Sequence, residues 1–462
     1  MLQLNKSLIL GALLSVSVIT VKAQQMTPPV TLKQLLARVD HNAPTLITDS
    51  SAIRIRQAQA AEIRNNWLPN LKLNYQADIG TSNNVTGPYF GFGIIPSSSG
   101  GIHPTNVTTA LSANLGIASL DWNVYNFGYY GAQNRVARSN IQVEQNNFTQ
   151  SKYELEAFTI NNYLQLMSLQ DYLNIQARNI QRTQNILRSV VSLTKSGVRP
   201  GVDTSIANAE LSKARLNYIE LNNQLQQVQL QLSAISGLPY QSIVADTLVE
   251  DQLITAPIGV FNADTAGHPI INFYQSLYQN SKLQEDVVKK QYNPKISLEG
   301  AAWSRGSSVD PEGNYNSLST GWGFQRDNYL VGLGISYNIF DLRRRQLKLN
   351  TQKTETDYFR NKLEEQKVLL ASGASQANAQ MQTARQRLRE IPNQLRAATE
   401  GYRQKLSLYK NGLTDIIELD AALSILYRAE TDYVQAKYAF TNALFNQAIT
   451  DNQVNTILNI LK

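Results

Sequence analysis

The feature that most constrains this chain is an internal duplication. Shifting the first half by 225 residues lays Pro44 on Pro269 and Pro69 on Pro294, and Asn66–Ala77 (NWLPNLKLNYQA) on Gln291–Ala302 (QYNPKISLEGAA). Beyond the first long loop the offset becomes 215. Trp122 then matches Tyr337, Asn123 Asn338, Val124 Ile339 and Tyr125 Phe340. The same offset carries Gly197 onto Gly412, Asp203 onto Glu418, Ala207 onto Ala422, Ala214 onto Ala429 and Tyr218 onto Tyr433. Whatever the first half builds, the second half builds again. Each repeat reads helix, strand, loop, strand, very long helix, turn, helix. The predicted fold class is mixed α and β with a two-fold internal repeat. Repeat 1 covers 44–237 and repeat 2 covers 268–446. A linker over 238–267 joins them, with an N-terminal segment at 24–43 and an irregular C-terminal segment at 447–462.

Four strands are expected, at about 68–80, 109–125, 294–304 and 328–340. Leu71 to Ile79 alternates apolar and polar without error, and Tyr329 to Ile339 puts its larger side chains on the odd positions. Strict alternation gives a strand one greasy face. Leu111 to Tyr125 alternates too but changes phase between Ile117 and Leu120, which predicts a bulge there. Ile296 to Ser304 is diluted by Gly300, Ala301 and Ala302. The lengths suit strands that cross a bilayer at a tilt, roughly 9–11 residues each. Trp67, Trp122, Tyr125, Tyr292, Tyr337 and Phe340 cluster at the helix-proximal ends, as the aromatic girdle of a membrane barrel does. Four strands cannot close a barrel, which needs about eight, so the chain must lend its strands to a shared one. The loops Gly80–Thr108 and Gly306–Asn328 cap the hairpins, and their tips (Tyr89, Phe90, Phe92, Trp322, Phe324) are predicted to face outward.

The long helices are predicted over 129–196 and 343–411. About 65 residues of helix span on the order of 100 Å. Leu166, Leu173, Ile180, Leu187 and Thr194 recur every seven residues, and their mates at 215 are Met381, Leu388, Leu395, Tyr402 and Tyr409. A seven-residue repeat calls for a partner helix along its length. Shorter helices over 44–66 and 203–236, and over 269–291 and 418–446, fit end to end beside the long ones. Pro392 is expected to interrupt and kink the second long helix.

The start of the chain reads as a signal peptide over 1–23: Lys6, an apolar run from Leu8 to Thr20, then Val21-Lys22-Ala23. No cysteine is present, which excludes disulfides, a thiolate metal site, a cysteine nucleophile and a lipidated cysteine. The net charge of +7 is carried by scattered Lys and Arg, apart from Arg343-Arg344-Arg345, and no nucleic-acid motif is present. His41, His103 and His268 are isolated, Gly91-Phe92-Gly93 lacks a third glycine, and no nucleophile-elbow or phosphate-loop pattern occurs. The four Met residues are unclustered, which gives copper export no support. Neither a cofactor, a metal nor an enzymatic activity is therefore expected.

The twice-given order of strand, loop, strand, long helix, turn and helix resembles the TolC-like outer-membrane factors over essentially the whole mature chain. The most diagnostic residues are the turns Gly197-Val198-Arg199-Pro200-Gly201-Val202-Asp203 and Gly412-Leu413-Thr414-Asp415-Ile416-Ile417-Glu418. Glycine suits a helix that ends in a left-handed conformation. The acid six residues later suits the opening of the next helix, as its cap.

The resemblance implies a homotrimer in the outer membrane of a Gram-negative bacterium. Its protomers share a 12-stranded β-barrel, and a coiled-coil α-helical barrel in the periplasm narrows at the turns. By position, Tyr409 matches the family's gate tyrosine, Asp203 its partner acid and Glu418 the first constriction acid. The second acid falls at Ala421, where Asp420 or Asp415 is the substitute. The gate arginine falls at Thr414, while Arg199 holds the corresponding place in the other hairpin, so the gate is wired differently here. Gly197, Val198, Arg199, Pro200, Gly201, Gly412, Leu413 and Thr414 are the implied docking surface for a periplasmic membrane-fusion adaptor. An inner-membrane pump of RND or ABC type supplies the energy, and outer-membrane lipid surrounds the barrel. The implied function is a passive duct for small toxic molecules. A duct for protein secretion by a type I system, or a structural envelope-spanning scaffold, remains an alternative.

Overall fold

The computed structural model describes residues 29–83, 105–256 and 267–461. The signal-peptide segment, the loop tip with Tyr89, Phe90, Gly91, Phe92 and Gly93, and His103 lie outside them. In chain order the elements are α1 (Leu32–Asn42), α2 (Pro44–Asn65), β1 (Asn70–Gly80), β2 (Leu111–Tyr125), α3 (Tyr129–Lys195), α4 (Val202–Ser236), α5 (Leu248–Thr255), α6 (Pro269–Gln291), β3 (Lys295–Ser307), β4 (Arg326–Ser336), α7 (Asp341–Lys410), α8 (Ile416–Thr450) and α9 (Val454–Leu458). Two compact units form. The first takes residues up to Val39, Thr159–Thr255 and Leu388–Tyr438. The second takes Asp40–Phe158, Ala256–Arg387 and Ala439–Lys462.

The second unit holds one antiparallel sheet of order β1-β2-β3-β4. Its register sorts the side chains by face. The row Leu71, Leu120, Gly300, Val331 and the row Leu73, Ala118, Ala302, Tyr329 lie on one side. On that side Leu71, Leu73, Tyr75 and Ile79 of β1 and Tyr329, Val331, Leu333 and Ile335 of β4 are 62–85% exposed. The opposite side carries Lys72, Asn74, Gln76 and Asp78 of β1, Asp121 and Asn123 of β2, and Glu299 and Arg305 of β3. The outer edges of β1 and β4 pair with no strand among the described residues.

Two expectations change here, and the second loop adds contacts of its own. The bulge in β2 lies between Asn123 and Tyr125, not between Ile117 and Leu120. Both flanking ladders run in regular register through 117–120, so Ile117 stays on the polar side, opposite Trp303. Such a cross-strand apolar pair accommodates the phase change without an extra residue.

The second loop folds back against the end of the sheet while Trp322 and Phe324 stay partly exposed. The backbone carbonyl of Trp322 accepts from Asn114 Nδ2 (2.6 Å), that of Leu318 from Ser112 Oγ, and Gln325 N–H donates to Arg305 O (2.7 Å). Phe324 sits edge-on to Tyr75 at 6.3 Å and over Gly116. The loop thus covers the end of the sheet's apolar side where β2 offers only Ser112, Asn114 and Gly116. Backbones nearly touch there: a Cβ on Gly306 would stand 1.8 Å from Gly323 O, and one on Gly321 2.1 Å from Ser112 Oγ.

Pro392, finally, lies inside α7, which continues on both sides of it. Its ring removes one N–H donor on an exposed face, and the long flanking turns carry the helix through.

In the first unit Leu166 is buried and Leu173, Ile180 and Leu187 half-buried, while the positions three further on, Leu169, Gln176, Thr183 and Val190, are all buried. These are the two lines of a heptad seam. Gln176 sits in it because its Nε2 donates to Ala214 O (2.6 Å). The N-terminal segment contains α1, and Val30 makes a parallel bridge with Ala245 of the linker. Tyr163 joins both, donating to Val30 O (2.9 Å) and accepting from Asp246 N–H (3.0 Å). The linker also holds α5, tied to α8 by Lys437, which pairs with Asp171 (3.1 Å) and with Glu250. Burial raises the Glu250 carboxyl and Lys437 opposes that rise. The C-terminal segment is less irregular than its sequence suggests: α8 runs to Thr450 and α9 follows. In the second unit His268 is buried, its Nδ1 accepting from Ile270 N–H (3.3 Å) at the start of α6 and its Nε2 3.2 Å from Tyr153 Oη. It is a capping histidine.

Candidate functional site

The site is built on the two turns of the first unit. Both long helices end on a glycine in the left-handed region, Gly197 at φ 71° and Gly412 at φ 76°. At the first turn Gly197 N–H donates to Thr194 O (3.1 Å) and Val198 N–H to Leu193 O (3.0 Å). At the second, Gly412 N–H donates to Tyr409 O (3.1 Å) and Leu413 N–H to Leu408 O (2.9 Å). These paired bonds satisfy carbonyls that a helix end leaves open, and they need a residue without a Cβ penalty. They also fix which side chains stand out. Val198, Val202, Leu413 and Ile417 are all exposed, four apolar residues around the two turns. Pro200 and Gly201 are exposed as well, and Thr414 is half-buried.

Between the turns lies a buried polar cluster. Tyr409 is fully buried, packed among Ile186, Val190, Ala207, Ile416, Leu419 and Leu423. Its hydroxyl donates to Asp203 Oδ2 at 3.4 Å, and Asp203 is only 6% exposed. The Arg199 guanidinium lies 5.0 Å from the Tyr409 ring centre, and its Nη2 donates to the backbone carbonyl of Thr414. Its Nε is buried and has no hydrogen-bond partner among the described residues. Burial pushes the Tyr409 phenol above its ordinary range. The Asp203 charge adds to that rise, and Arg199 opposes it.

The acids fall into different roles. Asp203 is not a helix cap: Gly201 precedes α4, and the Asp203 carboxylate turns to Tyr409. At the second turn Asp415, not Glu418, is the cap, its Oδ1 accepting from Glu418 N–H at 2.8 Å. Glu418 stays exposed and meets Lys405 Nζ at 2.9 Å. Asp420 points elsewhere, into a recess lined by Thr183, Ile186, Ile206 and Glu210. Burial raises its carboxyl, Glu210 raises it further and Lys213 opposes. Two residues apart on a helix are about 200° apart in direction, so Glu418 and Asp420 cannot share a surface.

Reasoning from sequence missed Lys405 and the Thr414 carbonyl. The first had a signal: across a tight helical turn, the residue seven before the glycine faces the residue six after it.

Of the aromatics, Trp122 Nε1 donates to Trp67 O (2.7 Å), with the rings 6.2 Å apart. Tyr125 stacks edge-on with Phe127 at 4.8 Å. Tyr292 is half-buried at the end of α6, and Tyr337 and Phe340 follow β4 with their rings exposed. All six stand at the ends of the strands that join the helices. No helix among the described residues is long and apolar enough to cross a membrane, and no cluster of metal-ligating side chains occurs among them.

Comparison with known proteins bears on both regions. The family model for outer membrane efflux proteins matches residues 35–238 and 279–446. A search of curated proteins finds no significant match. Among solved structures, the fold matches that of CusC, studied for its transmembrane channel formation, with TM-score 0.74 and 15% identity over 92% of this chain and 93% of that one. It matches the CmeC outer membrane channel of Campylobacter jejuni with TM-score 0.72 and 14% identity over 92% and 86%. It matches the outer-membrane channel OprN with TM-score 0.70 and 18% identity over 91% and 90%.

Proposed function

Since the chain belongs to the outer membrane efflux protein family, we propose that it is one protomer of a homotrimeric duct. The duct passes small toxic molecules across the periplasm and outer membrane of a Gram-negative bacterium. The observation that carries the proposal is the sheet: one side bare and apolar along β1 and β4, the other mostly polar, both edges unpaired among the described residues. Water would make the bare side costly, whereas lipid accepts it. An open edge needs another strand, and β1 of one copy beside β4 of the next supplies it. Three copies then close a 12-stranded barrel with the polar side inward. Trp67, Trp122, Tyr125, Tyr292, Tyr337 and Phe340 form its periplasmic girdle.

At the turns, Tyr409 on Asp203 and Arg199 on Thr414 tie the two hairpins of a protomer together, which is the closed state of the entrance. A periplasmic adaptor that covers Val198, Val202, Leu413 and Ile417 shifts the balance toward the open state. An inner-membrane pump of RND or ABC type supplies the energy. Glu418, brought near the axis by the three-fold symmetry, lines the entrance.

Because the chain has no cysteine, engineered pairs test the assembly cleanly. With Asn74→Cys on β1 and Asn328→Cys on β4, a short bifunctional thiol reagent should yield a covalent trimer in the outer-membrane fraction. Recovery as a soluble monomer would overturn the proposal.

A further inference from the structure

We infer that Lys405 is a specificity-determining residue: it neutralises Glu418 in place, so the entrance of this duct is close to charge-balanced instead of acidic. The inference rests on the reading that Glu418 lines the entrance. A ring of three bare carboxylates favours cations strongly. Here each carboxylate carries an ammonium from its own hairpin, Lys405 Nζ lying 2.9 Å from Glu418 Oε2. The pair is fixed by the chain itself. The capping of the turn at Gly412 sets the register of α7 against α8, and Asp415 holds the Glu418 backbone at the start of α8.

The remaining charges of the second hairpin tip do not restore an acidic ring. Arg403 is paired with Glu400, Lys410 is exposed, and Asp415 is engaged in capping. Asp420 lies in its recess beside Glu210. Counting Lys405, Lys410, Asp415 and Glu418, two positive charges meet two negative ones. The first hairpin shows the contrast. Its residue seven before the turn glycine is Val190, which has no charge to offer, and its acid Asp203 is buried against Tyr409.

Both Lys405 and Glu418 are substantially exposed, so replacing either leaves the fold intact. An ammonium one Debye length, about 10 Å, from an ion on the axis changes that ion's energy by a fraction of RT in screened water. Three together, acting oppositely on cation and anion, change the permeability ratio about fivefold at 0.1 M salt.

The experiment is the reversal potential of purified trimer in a planar bilayer across a potassium chloride gradient, for the unaltered protein, Lys405→Met, Lys405→Arg and Glu418→Gln. The expected result is a rise of about fivefold in the potassium-to-chloride permeability ratio for Lys405→Met, none for Lys405→Arg, and a fall for Glu418→Gln. A shift with Glu418→Gln but none with Lys405→Met overturns the inference and leaves Glu418 at the entrance. No shift with either, in channels that conduct, overturns the placement of Glu418 and the inference with it.

Discussion

Replacing Tyr409 by Phe removes one oxygen from each protomer and leaves the ring. The ring is fully buried, so its packing against Ile186, Val190, Leu419 and Leu423 survives the change. What is lost is the donor to Asp203. A hydrogen bond to a charged group contributes about 1.5–3 kcal/mol, but at 3.4 Å this one is long, and about 1 kcal/mol is the appropriate figure. Asp203 is 6% exposed, so water does not readily replace the phenol while the cluster stays closed. Opening lets water in and relieves the carboxylate. The substitution therefore destabilises the closed state more than the open one. If the three copies open together, the effects sum to about 3 kcal/mol, on the order of 10²-fold in the closed-to-open ratio. Single-channel recording of the Tyr409→Phe trimer should show that rise in open probability, with the melting temperature of the protein little changed. An unchanged open probability in a folded trimer carrying Tyr409→Phe would refute the idea that this bond holds the entrance shut.

Two further predictions follow from the same geometry. Asp420 has a carboxyl raised by burial and by Glu210, so the folded protein holds its proton more tightly than the unfolded chain. The contribution of Asp420 to stability is then full below the ordinary carboxylate range and is lost as pH rises through the raised value. Asp420→Asn should raise the melting temperature of detergent-solubilised trimer at about pH 7.5 and flatten its dependence between about pH 4 and that value. On the sheet, Val331→Arg puts a charge on the bare apolar side and should cost about 2–4 kcal/mol at mid-bilayer depth, whereas Asn74→Arg on the polar side should be tolerated. Yield of heat-resistant trimer from the outer-membrane fraction compares the two.

The parts of the fold that are legible in the sequence are those whose signal is periodic or forced by the backbone. Alternation over Leu71–Ile79 and Tyr329–Ile335 encodes a two-faced strand directly, because the side-chain period of a strand is two. The seam through Leu166 and Leu187 is likewise a matter of spacing, and Gly197 and Gly412 are required by a positive φ. What escapes depends on contacts distant in sequence. The return of the second loop onto the sheet is made by Asn114 and Ser112 meeting backbone carbonyls some 200 residues away. Its only local trace is the set Gly306, Gly321 and Gly323, which in a loop looks like ordinary turn chemistry. The position of the bulge escapes for a related reason. A phase change in apolar residues can be met by an extra residue or by a cross-strand partner, and Trp303, which decides the matter, belongs to the other repeat.

The turns carry the same lesson into the site. Asp203 and Glu418 are equivalent by repeat, and both open a helix in the sequence pattern, yet one is buried on a tyrosine and the other exposed on a lysine. Their different fates come from the partner each meets, Tyr409 of the other hairpin or Lys405 of its own, which a one-dimensional comparison of the acids ignores. Arg199 and Thr414 are also equivalent positions, and here the first repeat gives the guanidinium while the second gives a main-chain carbonyl. An acceptor of that kind leaves no mark on residue identity. Any residue at 414 presents the same oxygen, so the link depends on Arg199 and on the path of the backbone that Gly412 sets, not on a complementary acid. Wiring of this type leaves the side chain at 414 free to vary while the contact with Arg199 is kept.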